Sequence, residues 1–317
     1  AGGDLYELAR AAENQARYAD AIGLYQACAD AGPALAPYAR VRAAVCRTIA
    51  GDVQGGEAEL PLLAEAAGDS AWKNFAAHEL ARLHAKNNDR AKAVPLFGQA
   101  LRSDVDLWWM EDAHWEAAEN AITVPGQEAL GYIFFRKTAA TSIWSKKRYD
   151  AALKLTSAPS VEDRLAGIQF LINVGASQEA EPLLRSIGPA LGSDANLILL
   201  RDRAKARIDL VRGRARDGEE GLWRIARDPA AGDVAIDALN DLVSYLSREG
   251  DFIEAEQALA EMVKLDADGA RARGARRTLA SAYARENRPD DAAAHYALLA
   301  GAGSALEDAA PALLAAG

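Results

Sequence analysis

Over the first thirty residues the apolar positions fall with a helical period. Leu5, Leu8, Ala9 and Ala12 stand at i, i+3, i+4 and i+7, on one face of a helix. A short break follows at Ala16-Arg17-Tyr18. Ala21, Tyr25 and Cys28 then mark the inward face of a second helix, which Gly32-Pro33 ends. Small side chains at Ala9 and Ala21 let two antiparallel helices approach closely, with Tyr18 and Tyr25 filling the space beside them.

The pattern recurs with drift. One copy runs Leu80, Ala81, His84, Asn88-Asp89, Ala93, Phe97, Ala100. A second runs Leu239, Leu242, Leu246, Gly250-Asp251-Phe252, Ala255, Leu259, Met262, and a third Leu279, Ala280, Tyr283, Asn287-Arg288-Pro289, Ala292, Tyr296, Leu299. A weaker copy is centred on Gly51-Asp52 and Gly56. The small residue opening each second helix recurs at Ala21, Gly56 and Ala93, then at Ala255 and Ala292, in steps of 35 to 37 residues. A helix–turn–helix repeat has a period of ~34 residues, and small insertions account for the difference.

These residues resemble the tetratricopeptide repeat family, most specifically over 5–33, 75–101, 239–265 and 276–299. The resemblance implies an all-α, right-handed superhelical solenoid of antiparallel helix pairs, with about 18 helices joined by short turns. The expected organisation is one continuous solenoid. Tetratricopeptide repeats occupy 1–103, irregular helical repeats 104–229, and further repeats 230–317, with a capping helix over 305–316. Within the middle stretch, Arg148-Tyr149-Asp150-Ala151-Ala152 and 178–184 look like second-helix openings, and Val124-Pro125-Gly126 like a turn. Pro95 and Pro182 are expected near the start of second helices, where a missing amide costs little.

Composition narrows the function. The chain has 317 residues, 50% of them apolar and rich in alanine and leucine. A single core stops growing near ~250–300 residues, so a chain this long is either two domains or an elongated stack. The net charge of −10 argues against a nucleic-acid partner or an anionic membrane surface. No apolar run is long enough to span a bilayer. The opening Ala1-Gly2-Gly3 fits either a trimmed chain or a mature end left by signal cleavage, so periplasm and cytoplasm both stay open, with the periplasm favoured. Cys28 and Cys46 form no metal pattern. They read as small apolar packers, with a disulfide as the alternative.

In the family resembled, the first helix of each repeat lines a concave groove. That implies groove positions at Tyr6, Arg10 and Glu13, then Val41 and Val45, then His78, Arg82 and Lys86. Farther along they fall at Asn240, Ser244 and Arg248, then Arg277, Ser281 and Arg285. Such a groove is mildly basic at both ends and favours a carboxylate or an acidic peptide; the alternative is a solvated face with inward-pointing arginines. Some members grip a chaperone's C-terminal carboxylate through a lysine–asparagine clamp, but here Tyr6 and Arg10 stand where that clamp needs lysine and asparagine. In Leu107-Trp108-Trp109-Met110, adjacent tryptophans on a helix point about 100° apart, so one of Trp108 and Trp109 is a candidate aromatic anchor. The competing assignment has them fill a joint between repeats. Trp72, Trp144 and Trp223 read as packing residues.

No catalytic constellation, cofactor motif or metal-ligand spacing is expected. There is no glycine-rich phosphate loop, no His-Glu-x-x-His and no Gly-x-Ser-x-Gly, and His78 and His84 do not share a helix face in the i, i+4 manner. The middle of the chain, including 148–153, is also similar to the helical superhelix of bacterial soluble lytic transglycosylases, whose catalytic glutamate–serine segment is missing here. Three readings follow. The first is a bacterial scaffold holding a protein or peptide partner. The second is a non-catalytic envelope protein binding near peptidoglycan, and the third a protein that self-associates through its ends.

Overall fold

The computed structural model describes residues 2–65, 71–102, 110–266 and 269–301. Trp108, Trp109 and the capping helix expected over 305–316 lie outside these residues. The described chain is helical throughout, with seventeen α-helices and one short 3-10 turn at Gly188–Ala190. It divides into two compact units, Ala1–Leu155 and Thr156–Gly317.

The first unit holds four packed pairs: α1 (Gly2–Asn14) with α2 (Tyr18–Ala31), α3 (Ala36–Ala50) with α4 (Val53–Glu65), α5 (Ala71–Lys86) with α6 (Arg90–Ala100), and α7 (Met110–Ala121) with α8 (Glu128–Thr141). A single helix, α9 (Ser145–Thr156), follows. The second unit again holds four pairs: α10 (Val161–Asn173) with α11 (Ser177–Ile187), α12 (Ala195–Val211) with α13 (Ala215–Ala226), α14 (Asp233–Glu249) with α15 (Phe252–Leu265), and α16 (Ala270–Arg285) with α17 (Pro289–Gly301). Within this unit the first helices α10, α12, α14 and α16 pack on one another in sequence, forming a layer of their own.

One local rule builds all eight pairs. The fourth residue of every second helix is small and buried: Ala21, Gly56, Ala93 and Gly131, then Ala180, Gly218, Ala255 and Ala292. Five residues before each stands a residue with left-handed backbone: Ala16, Gly51, Asn88 and Gly126, then Gly175, Gly213, Gly250 and Asn287. That residue ends the first helix and reverses the chain. The amide of the small residue then donates to the carbonyl four residues earlier, as Ala93 does to Asp89 at 3.2 Å and Gly218 to Arg214 at 3.1 Å, closing the first turn of the second helix. The small side chain is required because the two helices cross here. A Cβ on Gly56 would lie 2.6 Å from the Ala44 carbonyl oxygen and overlap the Thr48 hydroxyl, and one on Gly218 would lie 2.8 Å from the Ala206 carbonyl.

The stretch expected to be irregular follows the same rule at Gly131, Ala180 and Gly218. The small residues step by 35 to 38 positions except between Gly131 and Ala180, where α9 is inserted. The departure is one extra helix.

Several side chains sit differently from expectation. Leu8 is 57% exposed, because no described helix packs on that side of α1. Val41 and Val45 are buried, since α3 is an interior first helix packed by α2, α4 and α5. Trp144 is 60% exposed at the α8–α9 turn. Pro95 and Pro182 are the sixth residues of α6 and α11, inside the helix rather than in its first turn. Both are exposed, so water can reach the carbonyls they leave unpaired. Cys28 and Cys46, read from the sequence as small apolar packers, are buried and free on the packed helices α2 and α3.

Candidate binding faces on the first helices

Charged side chains stitch consecutive first helices together. In the first unit the Glu13 carboxylate on α1 accepts from Tyr25 Oη at 2.6 Å and from Arg42 Nε on α3 at 3.2 Å, with a further contact from the Arg42 guanidinium. Arg42 Nη1 reaches on to Glu79 on α5 at 3.1 Å. Glu79 also faces His78 Nδ1 at 3.4 Å and Arg82 at 3.6 Å. His78 Nε2 and Arg82 Nε lie 3.4 and 3.3 Å from Glu116 on α7, ion-pair distances rather than short hydrogen bonds. Acid and base thus alternate across four first helices.

The electrostatics follow from burial opposed by partners. Burial pulls the Arg42 guanidinium below its ordinary pKa, and Glu79 offsets only part of this. Burial also works against the Glu79 carboxylate, but His78, Arg42 and Arg82 outweigh it and hold it below the usual range. His78 is driven the other way. Burial opposes its charge, yet Glu116 and Glu79 raise its pKa above the ordinary histidine value.

The second unit repeats the device with other residues. Arg207 on α12 donates to Gln169 Oε1 at 2.8 Å and Asn173 Oδ1 at 2.7 Å on α10, and its Nε lies 3.3 Å from Asp241 on α14. Arg203 bridges Asp237 at 2.8 Å and Asp241 at 2.6 Å. Arg271 on α16 contacts Asp233 at 3.2 Å and Asp237 at 3.6 Å. The hydrogen-bonded partners stand 34 or 38 residues apart, about one repeat or one repeat less a helical turn. Burial opposes the Arg203 charge, but Asp241 and Asp237 outweigh it and raise its pKa; for Arg207 burial wins and the pKa falls.

Between α10, α12 and α14 lies a cleft of about 380 Å³, lined in part by Asn173, Arg207, Asp241, Ser244, Tyr245 and Arg248. Its two arginines differ. Arg207 is committed to the ladder, whereas the exposed Arg248 guanidinium lies over the Tyr245 ring, 5.6 Å from its centroid, with Nε 3.6 Å from Glu249. The expected groove residues distribute as follows. Ser244 and Arg248 meet in this cleft, with Asn240 half-buried one position before Asp241. Arg10, His78 and Arg82 join the first unit's ladder; Arg10 sits 3.4 Å from Glu13, and His78 is only 3% exposed rather than on an open face. Tyr6 is half-buried edge-on to Tyr25, and Lys86 is exposed. On α16, Arg277 and Arg285 are exposed, and Ser281 Oγ lies 3.1 Å from the Tyr296 hydroxyl.

Sequence reasoning missed the ladder residues Arg42, Glu79, Glu116, Arg203, Arg207 and Asp241. The available signal was opposite charges recurring at one repeat's spacing on successive first helices. Among the described residues no group of three or more His, Cys, Asp or Glu could hold a metal ion, and no helix is long and apolar enough to cross a membrane.

Each unit is thus a stack of helix pairs that repeat one local rule. No protein-family description matches the sequence, and no curated protein matches it significantly. Among solved structures, the chain is similar to the TPR domain of P58(IPK), with 14% identity over 99% of this chain and 98% of that one and a TM-score of 0.29. It is similar to a tetratricopeptide repeat protein from Parabacteroides merdae, with 11% identity over 99% and 98% and a TM-score of 0.33. It is also similar to Rap protein complexed with competence and sporulation factor, with 15% identity over 99% and 94% and a TM-score of 0.35.

Proposed function

We propose that the chain is a non-catalytic binding scaffold that holds an extended peptide or carboxylate-bearing partner on the first-helix layer of its second unit. The observation that carries this reading is the cleft between α10, α12 and α14. Its lining includes Arg207, held by Gln169, Asn173 and Asp241, while the exposed Arg248 lies over the Tyr245 ring. A preorganised cleft with a guanidinium on an aromatic face suits a planar anion. The first unit's face supports less, because its arginines and acids satisfy one another.

The test is a binding titration with acidic peptides, backed by capture from host lysate and envelope fractions, comparing the parent chain with Arg248→Ala and with Arg248→Ala/Arg277→Ala/Arg285→Ala. The parent is expected to bind, and Arg248→Ala to weaken binding about tenfold, the worth of a charge-assisted hydrogen bond. Equal retention of the same partner by parent and triple variant would sink the reading.

A further inference from the structure

Helix α12 carries a second cleft on its opposite side. Residues 205 and 207 project about 200° apart on a helix, so the face bearing Arg201, Lys205 and Ile208 turns away from the face bearing Arg207 and Val211. This cleft, of about 330 Å³, lies between α12, α11 and Gly188. Its floor is apolar, made by Leu184 and Ile208 at 7% and 2% exposed. Its rim is cationic, with Arg185, Arg201, Lys205 and Arg214.

The acids at this rim are largely spent on holding the bases. Buried Asp209 accepts from Arg214 Nε at 2.8 Å and from Lys205 Nζ at 2.9 Å, and Glu181 accepts from Arg212 at 2.8 Å. Arg201 gives Nε, at 2.8 Å, and Nη2 to Asp202, and of its nitrogens only Nη1 makes no hydrogen bond among the described residues. Arg185 makes no hydrogen bond or ion pair among the described residues. Past Lys205 the cleft continues toward α13 as a depression of about 350 Å³ that shares Asp202, Lys205 and Asp209. That end adds Asp217, Glu220 and Arg224; Glu220 accepts from Arg216 Nε at 2.8 Å, but with Asp202 and Asp209 the acids still outnumber the bases, so this end is acidic where the first is basic.

We propose that this dipolar trough seats the C-terminal end of a partner polypeptide. An apolar last side chain rests on Leu184 and Ile208, its carboxylate meets Arg185 and Arg201, and a basic side chain upstream lies over Asp217 and Glu220. Size and charge both select this occupant. The apolar end is at the small limit of ligand pockets, ~300 Å³, room for one large side chain and its carboxylate. Guanidinium forks match a carboxylate in shape, and the acidic continuation rejects a second negative charge. The site is independent of the α10–α12–α14 cleft.

The test is fluorescence anisotropy on the full chain. The probe is a short labelled peptide with leucine last, a free carboxylate, and lysine a few residues upstream. The free acid is expected to bind, and its C-terminal amide to bind about tenfold more weakly, as does the free acid to Arg185→Ala. Asp217→Ala/Glu220→Ala is expected to weaken the lysine peptide and leave a serine-substituted peptide unchanged. Arg248→Ala leaves all of these values unchanged, and circular dichroism checks that each variant keeps its helices. Equal binding of acid and amide overturns the proposal. So does wild-type affinity in both Arg185→Ala and Arg201→Ala, dependence on Arg248, or no binding of either peptide.

Discussion

At Ala16 the repeat carries a residue that its backbone disfavours. The other turns place glycine or asparagine in the left-handed region, while Ala16 holds φ +57 with a Cβ. An L-residue there costs ~1–2 kcal/mol, and glycine removes most of this while loosening the unfolded chain. Ala16→Gly is therefore expected to stabilise the protein by about 0.5–1 kcal/mol, read as a shift in urea midpoint at unchanged slope. His78 makes a second prediction at this scale. Glu79, Glu116 and Arg82 surround it, and its folded pKa is raised above 6.5. Its charge therefore stabilises the fold fully below the unfolded value and progressively less as pH rises through the folded one. Glu79, held below 4.5, acts oppositely, and its contribution is lost as pH falls through its folded value. Melting temperatures of the parent and His78→Gln should converge as pH rises from 6 to 9; a gap independent of pH would refute this role for His78.

Among the elements, the first helices are joined by charge as well as by packing, and the worth of each join depends on its burial. The Arg42 side chain is 11% exposed between Glu13 and Glu79. Removing one partner of a buried ion pair leaves uncompensated charge and costs ~3–5 kcal/mol, whereas an exposed pair contributes ~0–1 kcal/mol. Arg42→Ala should destabilise the first unit by about 3 kcal/mol or more. Arg271→Ala, at 43% exposure, should change stability by less than about 1 kcal/mol. Denaturant melts of the two variants separate these cases, and similar losses would mean that burial does not set the ladder's strength. Helix α9 is the element that breaks the series. It enters through exposed Ile143 and Trp144, and it carries no small residue at its fourth position, where Arg148 stands.

At the scale of the whole molecule, each unit has four pairs and its own core. In the second, Leu239, Leu242, Phe252, Leu259 and Tyr283 belong to one buried cluster confined to residues 206–299. A stack whose repeats contact only their neighbours can be cut between compact units without opening either. Fragments 1–155 and 156–317, produced separately, are each expected to show helical circular dichroism and a cooperative melt. An unfolded fragment would mean that the boundary at α9 does not separate two self-sufficient units.

The helices, their pairing and the close crossings could be read from the sequence, because they rest on local rules: a 3.6-residue apolar period, a turn residue, and a small residue where two helices cross. Three more copies of that rule were legible in the glycines five residues before Gly131, Ala180 and Gly218. Only the opening at 178–184 reads as such from the sequence, and 148–152 reads as another although it belongs to the single helix α9, because that insertion breaks the spacing that makes a repeat visible. Which charged residues face a partner and which face each other was decided only by tertiary structure. Arg10 and Arg248 look alike on a helical wheel, but one lies beside Glu13 and the other lines an open cleft. Surface charge at a given helix position depends on what the next repeat presents one period away, and only the packed chain brings those side chains together.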